Sequence, residues 1–351
     1  MGKKVENILI TGANGFIGQA LCKRMLADGY QVRGAVRGTT QMTALVSGVE
    51  GVMVGDIGPE TDWSEALAGI DGVVHLAARV HVMRESSVNP LAAYREVNVE
   101  GTKCLAITAA NAGVKRFVYI SSVKVNGERT GDKRWDQGPG VGGREKTKVR
   151  GQEGELKGTF SEKDVPEPQD PYGISKWEAE QVLRDVAADT GLEVVILRPP
   201  LVYGPEVRGN FLRLLRIVWR GIPLPLASIK NRRSLIYIGN FVDAIVNCIT
   251  NPSATGKTYL LSDGDDVSTP ELIKRIAYSM RRPAILYFFP SKFIQLAAGL
   301  LGKSAIVDRL VSSLTVNISK IKRNLNRKPP YTMEEGIRET VSWYKSADYA
   351  D

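Results

Sequence analysis

Ile8-Leu9-Ile10-Thr11-Gly12-Ala13-Asn14-Gly15-Phe16-Ile17-Gly18 is an apolar run that ends in a glycine turn, and a helical pattern (Ala20, Leu21, Met25, Leu26) begins directly after it. The order is strand, tight turn, helix. Gly12 permits the turn, Gly15 lets backbone N–H groups approach an anion with no Cβ between them, and Gly18 lets the helix lie close to the strand. The helix N-terminus then presents unpaired N–H groups and a partial positive charge, which suit a pyrophosphate. The spacing is GxxGxxG rather than GxGxxG, so the weight rests on the flanking strand and helix as much as on the glycines.

Working outward, strands and helices alternate through the first two hundred residues, which predicts a parallel sheet covered on both faces. A second strand runs over Tyr30–Arg37. Dinucleotide-binding sheets that take NAD usually end this strand in a carboxylate for the ribose hydroxyls. Here the place holds Val36 and Arg37. An arginine suits a 2′-phosphate, so NADP is favoured over NAD, with a plain surface arginine as the alternative. Val52–Val54 forms a third strand leading to Asp56-Ile57. A helix is expected near Trp63–Ala68, and a buried strand over Val73–Ala78. The small Ala77 and Ala78 at the end of that strand leave room for a flat cofactor. A long helix around Leu91–Asn111 carries Asn98, Gly101 and Thr102, and a further strand, Phe117–Ile120, ends in Ser121-Ser122.

From Arg129 to Phe160 glycine, lysine and arginine replace apolar periodicity, the pattern of a flexible insertion. Order returns at Asp170-Pro171-Tyr172, where Tyr172 and Lys176 lie four residues apart on one face of a helix. A strand over Glu193–Leu197 leads into Arg198-Pro199-Pro200-Leu201-Val202-Tyr203-Gly204-Pro205. Helices are expected near Asn210–Trp219 and Phe241–Thr250, and strands around Leu235–Ile238 and Thr258–Leu261. A last clear helix follows Thr269-Pro270-Glu271, with threonine as its cap.

Composition narrows the function. The 351 residues are 43% hydrophobic, enough for a sizeable core. Cys22, Cys104 and Cys248 are far apart and lack metal-ligand spacing, so they read as buried free thiols of a reducing compartment. With two histidines, His75 and His81, and no acidic cluster, no metal site is expected. The net charge of +9 is not interleaved with aromatics as a nucleic-acid platform requires, which leaves an anionic small substrate or a solvated surface. Met1–Asn7 is too short and polar for a secretion leader, so a cytoplasmic location is expected. Ile285–Leu301 is interrupted by Pro290, Ser291, Lys292 and Gln295. It is too broken to span a bilayer and reads as a core or dimer-contact helix, or one lying on a membrane surface.

Taken together, Gly12-x-x-Gly15-x-x-Gly18, Ser122 and Tyr172-x-x-x-Lys176 resemble the short-chain dehydrogenase/reductase superfamily. His75-Leu76-Ala77-Ala78, Asn98-x-x-Gly101-Thr102 and Arg198–Pro205 resemble its extended branch, the epimerase/dehydratase family. The likeness covers nearly the whole chain. It implies a Rossmann-type doubly wound α/β fold with a smaller mixed α/β substrate-binding lobe. Residues 1–198 would form the dinucleotide-binding part, with its insertion at 129–160, and 199–351 mainly the lobe, some segments returning to the sheet. By resemblance Ser122, Tyr172 and Lys176 are catalytic. The cofactor set is Gly12, Gly15, Phe16, Ile17, Gly18, Arg37, Asp56, Ile57, Leu76, Ala77, Ala78, Asn98, Tyr172, Lys176 and Pro199. Asp56 and Ile57 would meet the adenine, Pro199 the nicotinamide. His75 reads as a core position, whereas His81 could face the cofactor phosphates.

The chemistry follows from residue type. A free tyrosine, pKa about 10, is a poor base at neutral pH. An ammonium four residues away, with a cationic nicotinamide nearby, is expected to lower that pKa. Tyr172 would then move a proton at a hydroxyl or carbonyl that Ser122 holds in place.

The later motifs resemble nucleotide-sugar enzymes. Asn210 stands where a nucleotide-sugar diphosphate is usually contacted, and Arg233 where a diphosphate-binding arginine falls, with Arg232 and Arg208 as weaker candidates. Two activities compete: a 4-ketoreductase of a UDP-4-keto-6-deoxy-N-acetylhexosamine for surface polysaccharide, and a UDP-sugar 4-epimerase holding NAD tightly. Val36-Arg37, the 129–160 insertion and the Phe288–Arg309 region lean toward the reductase. Reduction of a hydrophobic alcohol or ketone, or a non-catalytic NADP sensor, fits less of the pattern. A homodimer through the helices near Leu91 and Tyr172 is implied by the resemblance alone.

Overall fold

The computed structural model describes residues 5–80, 89–130, 158–290 and 310–347. His81, residues 131–157 of the insertion, and residues 291–309, which include most of the apolar Ile285–Leu301 stretch and of the Phe288–Arg309 region, lie outside them.

The strands β1 (Asn7–Thr11), β2 (Gln31–Val36), β3 (Glu50–Met53), β4 (Gly72–His75), β5 (Arg116–Ile120), β6 (Glu193–Arg198) and β9 (Thr258–Leu260) form one parallel sheet. Its order is β3-β2-β1-β4-β5-β6-β9. Ile8 and Ile10 face one core cluster and Leu9 the other, as the two-residue period of a strand requires. On one face lie α1 (Phe16–Ala27) and α8 (Ile238–Thr250), which pack together. On the other lie α3 (Ser64–Leu67), α5 (Gly101–Asn111) and α6 (Pro171–Thr190). The sheet is therefore doubly wound, and strand order reverses between β1 and β4, where such sheets open a crevice at their carboxyl ends.

Beyond β6 a second, two-stranded parallel sheet forms from β7 (Leu201–Tyr203) and β8 (Leu235–Tyr237). Around it lie α7 (Gly209–Trp219), α9 (Thr269–Met280), α10 (Ser319–Leu325) and α11 (Met333–Ser346), while α8 and β9 return to the main sheet. No helix among the described residues is long and apolar enough to cross a membrane.

Several expected boundaries move. β4 stops at His75, because Leu76 and Ala77 spend their N–H groups on the Thr11 hydroxyl rather than on a neighbouring strand. Ile238 opens α8 instead of closing β8. The Leu91–Asn111 helix is broken into α4 (Pro90–Arg95), a π-turn (Glu96–Glu100) and α5. The cap of α9 is Ser268, whose hydroxyl accepts from Glu271 N, and not Thr269, whose hydroxyl donates to Leu310 O. Of the cysteines, Cys22 and Cys248 are buried but Cys104 is half-buried; all are free. Two described residues inside the bounds expected for the insertion are tied to the C-terminal part of the chain. Thr130 N donates to Ser313 O and Phe160 N to Thr315 O, each at 2.8 Å.

Gly18 is where helix meets turn most tightly: a Cβ there would stand 2.2 Å from Gly12 O and 2.7 Å from Ala13 Cα, both backbone atoms. Gly18→Ala is expected to lose about 1–3 kcal/mol of stability by overpacking. Gly58→Ala, with nothing within 4 Å and no left-handed φ, should stay within about 0.5 kcal/mol of the parent. Denaturant melts of the two variants check the contrast, and equal melts contradict it.

Candidate active site

The cleft at the sheet's carboxyl edge is assembled from the turn after β1 and the segment after β4. Thr11 Oγ1 accepts from Leu76 N at 3.2 Å and Ala77 N at 3.1 Å, and meets His75 Nδ1 at 2.7 Å. Gly12 has φ +68°, and a Cβ on it would come within 3.1 Å of Ala77 N, so only glycine fits. Gly15 is the N-cap of α1, in extended backbone, with no side-chain cap and no acid in the helix's first turn. The first N–H groups of a twelve-residue helix thus point out beside an exposed glycine. That arrangement fits a dinucleotide pyrophosphate: a concave backbone cradle, positive by dipole, which a Cβ would fill. Leu76, Ala77 and Ala78 are half-buried along the same cleft.

At the far side of the cleft stand Ser122, Tyr172 and Lys176, which the fold brings together from β5 and α6. Ser122 caps the 3₁₀ turn Val123–Val125, and its hydroxyl is hydrogen-bonded to the Tyr172 phenol. Tyr172 lies in the first turn of α6, which is capped by Asp170, whose carboxylate accepts from Gly173 N at 2.7 Å. Lys176, one turn on, is buried; Nζ donates to Ile120 O at 2.8 Å and lies 4.5 Å from the Tyr119 ring centroid and 5.9 Å from that of Tyr172.

The electrostatics depart from expectation in one respect. Tyr172 is not lowered: burial, the Asp170 charge and Tyr94 push its phenol above the ordinary tyrosine range, against the hydrogen bond from Ser122. Burial also pulls Lys176 down to about 7, with Glu180 holding it up in part. Spacing alone put a full ammonium beside the phenol, whereas burial weakens that charge before it can act.

Other expected residues take different places. Asn98 is buried on the π-turn with its amide fully committed: it accepts from Arg79 N at 2.8 Å and donates to Arg79 O at 3.0 Å and to Ser175 Oγ at 2.9 Å. It joins the cleft wall to α6. His75 is a core residue between Thr11 and Thr102, stacked on Tyr119, with burial pulling its pKa to about 3. Arg37 is exposed and lies 3.4 Å from the equally exposed Asp56, so the cation expected at a 2′-phosphate already faces a carboxylate. Ile57 packs where Gly101 allows it, since a Cβ there would stand 2.6 Å from its Cγ2. Pro199 is buried, and its carbonyl accepts from Val123 N at 3.0 Å.

Asn210 and Arg233 belong to the lobe. Asn210 is exposed in the first turn of α7. Arg233 is half-buried, with its backbone paired to Val267 and its guanidinium donating to Ser312 O at 3.2 Å. Arg232 is exposed, 3.8 Å from Asp266.

Two groups beside the cluster escaped sequence reasoning. Lys124 bridges Asp170 and Glu128 beside Ser122. Glu180 lies wholly buried one turn beyond Lys176, paired with Arg198. A carboxylate at i+4 from Lys176 was the available signal for Glu180, but its burial depends on β6, far along the chain.

Comparison with known proteins agrees with this geometry. Residues 8–262 match the model of the NAD dependent epimerase/dehydratase family. A UDP-glucose 4-epimerase of Vibrio cholerae is 42% identical, over 99% of this chain and 98% of that one. An Escherichia coli O157:H7 N-acetyl-alpha-D-glucosaminyl-diphospho-ditrans,octacis-undecaprenol 4-epimerase is 25% identical, over 96% and 95%. Among solved structures, MoeE5 in complex with UDP-glucuronic acid and NAD superposes with a TM-score of 0.73 at 25% identity, covering 97% of this chain and 99% of that one. The chain belongs to the NAD dependent epimerase/dehydratase family, an NAD-dependent enzyme family of extended short-chain dehydrogenase/reductase type. The matches give no support to the NADP preference that Arg37 suggested.

The buried lysine makes a stability prediction. Its pKa falls from 10.5 to about 7 on folding. Between those values the unfolded chain binds the extra proton, so this group adds stability as pH rises and withdraws it as pH falls toward 7. Lys176→Met removes the group. Its melting temperature relative to the parent should be highest near about pH 6 and decline toward about pH 9. A difference that does not change with pH contradicts the buried, depressed lysine.

Proposed function

We propose that the protein is a nucleotide-sugar 4-epimerase, oxidising and re-reducing C4 of a UDP-linked hexose with NAD. The observation that carries it is the sheet order, in which β1, ending in the Gly12/Gly15 turn, and β5, leading to Ser122 beside Tyr172 and Lys176, flank β4 on either side. A phosphate-binding turn and a proton-transfer group thus share one cleft. The V. cholerae relative, named a UDP-glucose 4-epimerase, supports the reaction, and MoeE5, solved with NAD and UDP-glucuronic acid, supports cofactor and substrate class.

NAD, when bound, supplies a reversible hydride acceptor, the one chemistry these side chains lack. The chain supplies the proton path and the positioning. Tyr172 takes the C4 hydroxyl proton on oxidation and returns one to the carbonyl oxygen on reduction. Its phenol rests high in this environment, so Ser122, which donates to the phenolate oxygen or to the sugar oxygen, and the Lys176 ammonium both favour the basic form. Lys176 is also assigned to a ribose hydroxyl. Gly12, Gly15, Phe16, Ile17 and Gly18 bind the pyrophosphate, Asp56 and Ile57 border the adenine, and Leu76, Ala77, Ala78 and Pro199 close the cleft. Arg233 is assigned to the substrate diphosphate and Asn210 to its neighbourhood. The protein acts in the cytoplasm as a homodimer through α4, α5 and α6, on which Ile107 is an exposed apolar side chain.

A second reading, a 4-ketoreductase exchanging NADPH, is favoured by one observation: β2 runs into Arg37 with no acid beside it in sequence. Nucleotide released on denaturing the purified protein, together with turnover, separates the two. The epimerase reading expects retained NAD and interconversion of UDP-glucose with UDP-galactose, or of their N-acetyl counterparts. Tyr172→Phe should cut kcat by about 10²–10⁴ with the nucleotide still bound. A nucleotide-free protein that oxidises NADPH only with a UDP-4-keto sugar overturns epimerisation for reduction, and a protein inactive in both assays overturns both.

A further inference from the structure

We propose that Glu180 is a positioning residue for the proton-transfer cluster, acting through a carboxylate that clamps α6 to the ends of β5 and β6. The inference rests on the assignment of Ser122, Tyr172 and Lys176 just made.

Glu180 is fully buried, and both its oxygens are in use. Oε1 accepts from Ser121 Oγ at 2.6 Å and Arg198 Nε at 2.8 Å. Oε2 accepts from the second nitrogen of the Arg198 fork at 2.6 Å and from Arg184 at 3.2 Å. The remaining Arg198 nitrogen donates to Asn126 Oδ1 at 2.9 Å, and Asn126 Nδ2 donates to Ser161 O at 3.0 Å. Arg198 is only 3% exposed.

Every strand end that carries the cluster meets this carboxylate. Ser121 adjoins Ser122. Ile120, whose carbonyl takes the Lys176 N–H, adjoins Ser121. Arg198 adjoins Pro199, whose carbonyl holds Val123 N. Glu180 itself follows Lys176 by one helical turn. The bidentate fork fixes direction as well as distance, so a rotation of α6 relative to β5 breaks it and moves Tyr172 and Lys176 away from Ser122.

A buried ion pair is weak evidence for stability, since desolvation offsets much of its attraction. Its retention beside a reaction centre therefore points to geometry. Lys176 faces Tyr119 on β5, His75 on β4, and Tyr172 and Glu180 on its own helix; Glu180 is the one anion of this set, and Arg198 on β6 lies behind it. Removing the carboxylate therefore withdraws support from the charged form of Lys176.

The test replaces both partners, Glu180→Gln with Arg198→Gln, so that no buried charge is left alone. The folded double variant is expected to lose roughly tenfold or more in kcat, with sugar KM changed by less than about threefold. The pH midpoint of bound-NADH fluorescence, which needs no sugar, is expected to move to lower pH. A folded double variant with parental kcat and midpoint overturns the proposal. Should it fail to fold, Ser121→Ala cuts one arm of the clamp and leaves the ion pair intact. A roughly threefold or larger fall in kcat at constant KM supports the proposal, and parental kinetics overturn it. If the parent itself turns over no UDP-sugar, the proposed function fails, while the fluorescence midpoint still decides the role of Glu180.

Discussion

The approach of Gly12 to Ala77 is the constraint on which the cleft depends. Two parallel strands, β1 and β4, end side by side, and the chain leaves them in different directions. Their exits are held against one another by one hydroxyl, that of Thr11, which takes the N–H groups of Leu76 and Ala77 and meets His75. No Cβ fits between them. That closeness leaves the N-terminus of α1 uncapped over an open crevice, and the cradle follows from it. His75, kept neutral by burial, serves this joint. It is no catalyst, because a group that charges only near pH 3 cannot shuttle protons at neutrality.

Across the crevice Lys176 is buried and Ser122 and Tyr172 are half-buried. Tyr172 is pushed upward and Lys176 downward by the same cause, loss of water around a charge. In this state both groups tend toward neutrality, and the phenolate needs added positive charge nearby to form. Burial thus drives the two groups apart, holding the proton on the phenol and weakening the ammonium, and what binds in the cleft must shift both toward their charged forms. Glu180 keeps Lys176 from falling wholly to the neutral amine, and Asn98 keeps the cleft wall in register with α6 through Arg79 and Ser175.

Much of this was legible in the sequence. The glycine turn after Ile8–Thr11, the strand–helix alternation, and Tyr172 and Lys176 on one helical face all follow from local periodicity. Periodicity acts over a few residues, and so do these elements. Ser122 was legible by resemblance. What was not legible depends on distant partners. The end of β4 is decided by a hydroxyl 65 residues earlier, and Asn98 is occupied by Ser175, 77 residues later. The upward push on Tyr172 was not legible for the same reason: spacing gives the distance to Lys176, but burial, a property of the whole fold, acts on both groups. The nearness of Arg37 to Asp56 was not legible either, because Asp56 follows another strand.

The central claim is that hydrogen leaves C4 of a UDP-hexose and returns within one cleft, with Tyr172 moving only the proton. The most direct measurement follows UDP-glucose deuterated at C4, incubated with the protein in ordinary water, and locates the label in the UDP-galactose formed. The account predicts that the deuterium stays at C4, because a hydride carried within the site does not exchange with solvent. Product that has lost its label to water, or label left in unreacted UDP-glucose with no product formed, contradicts it.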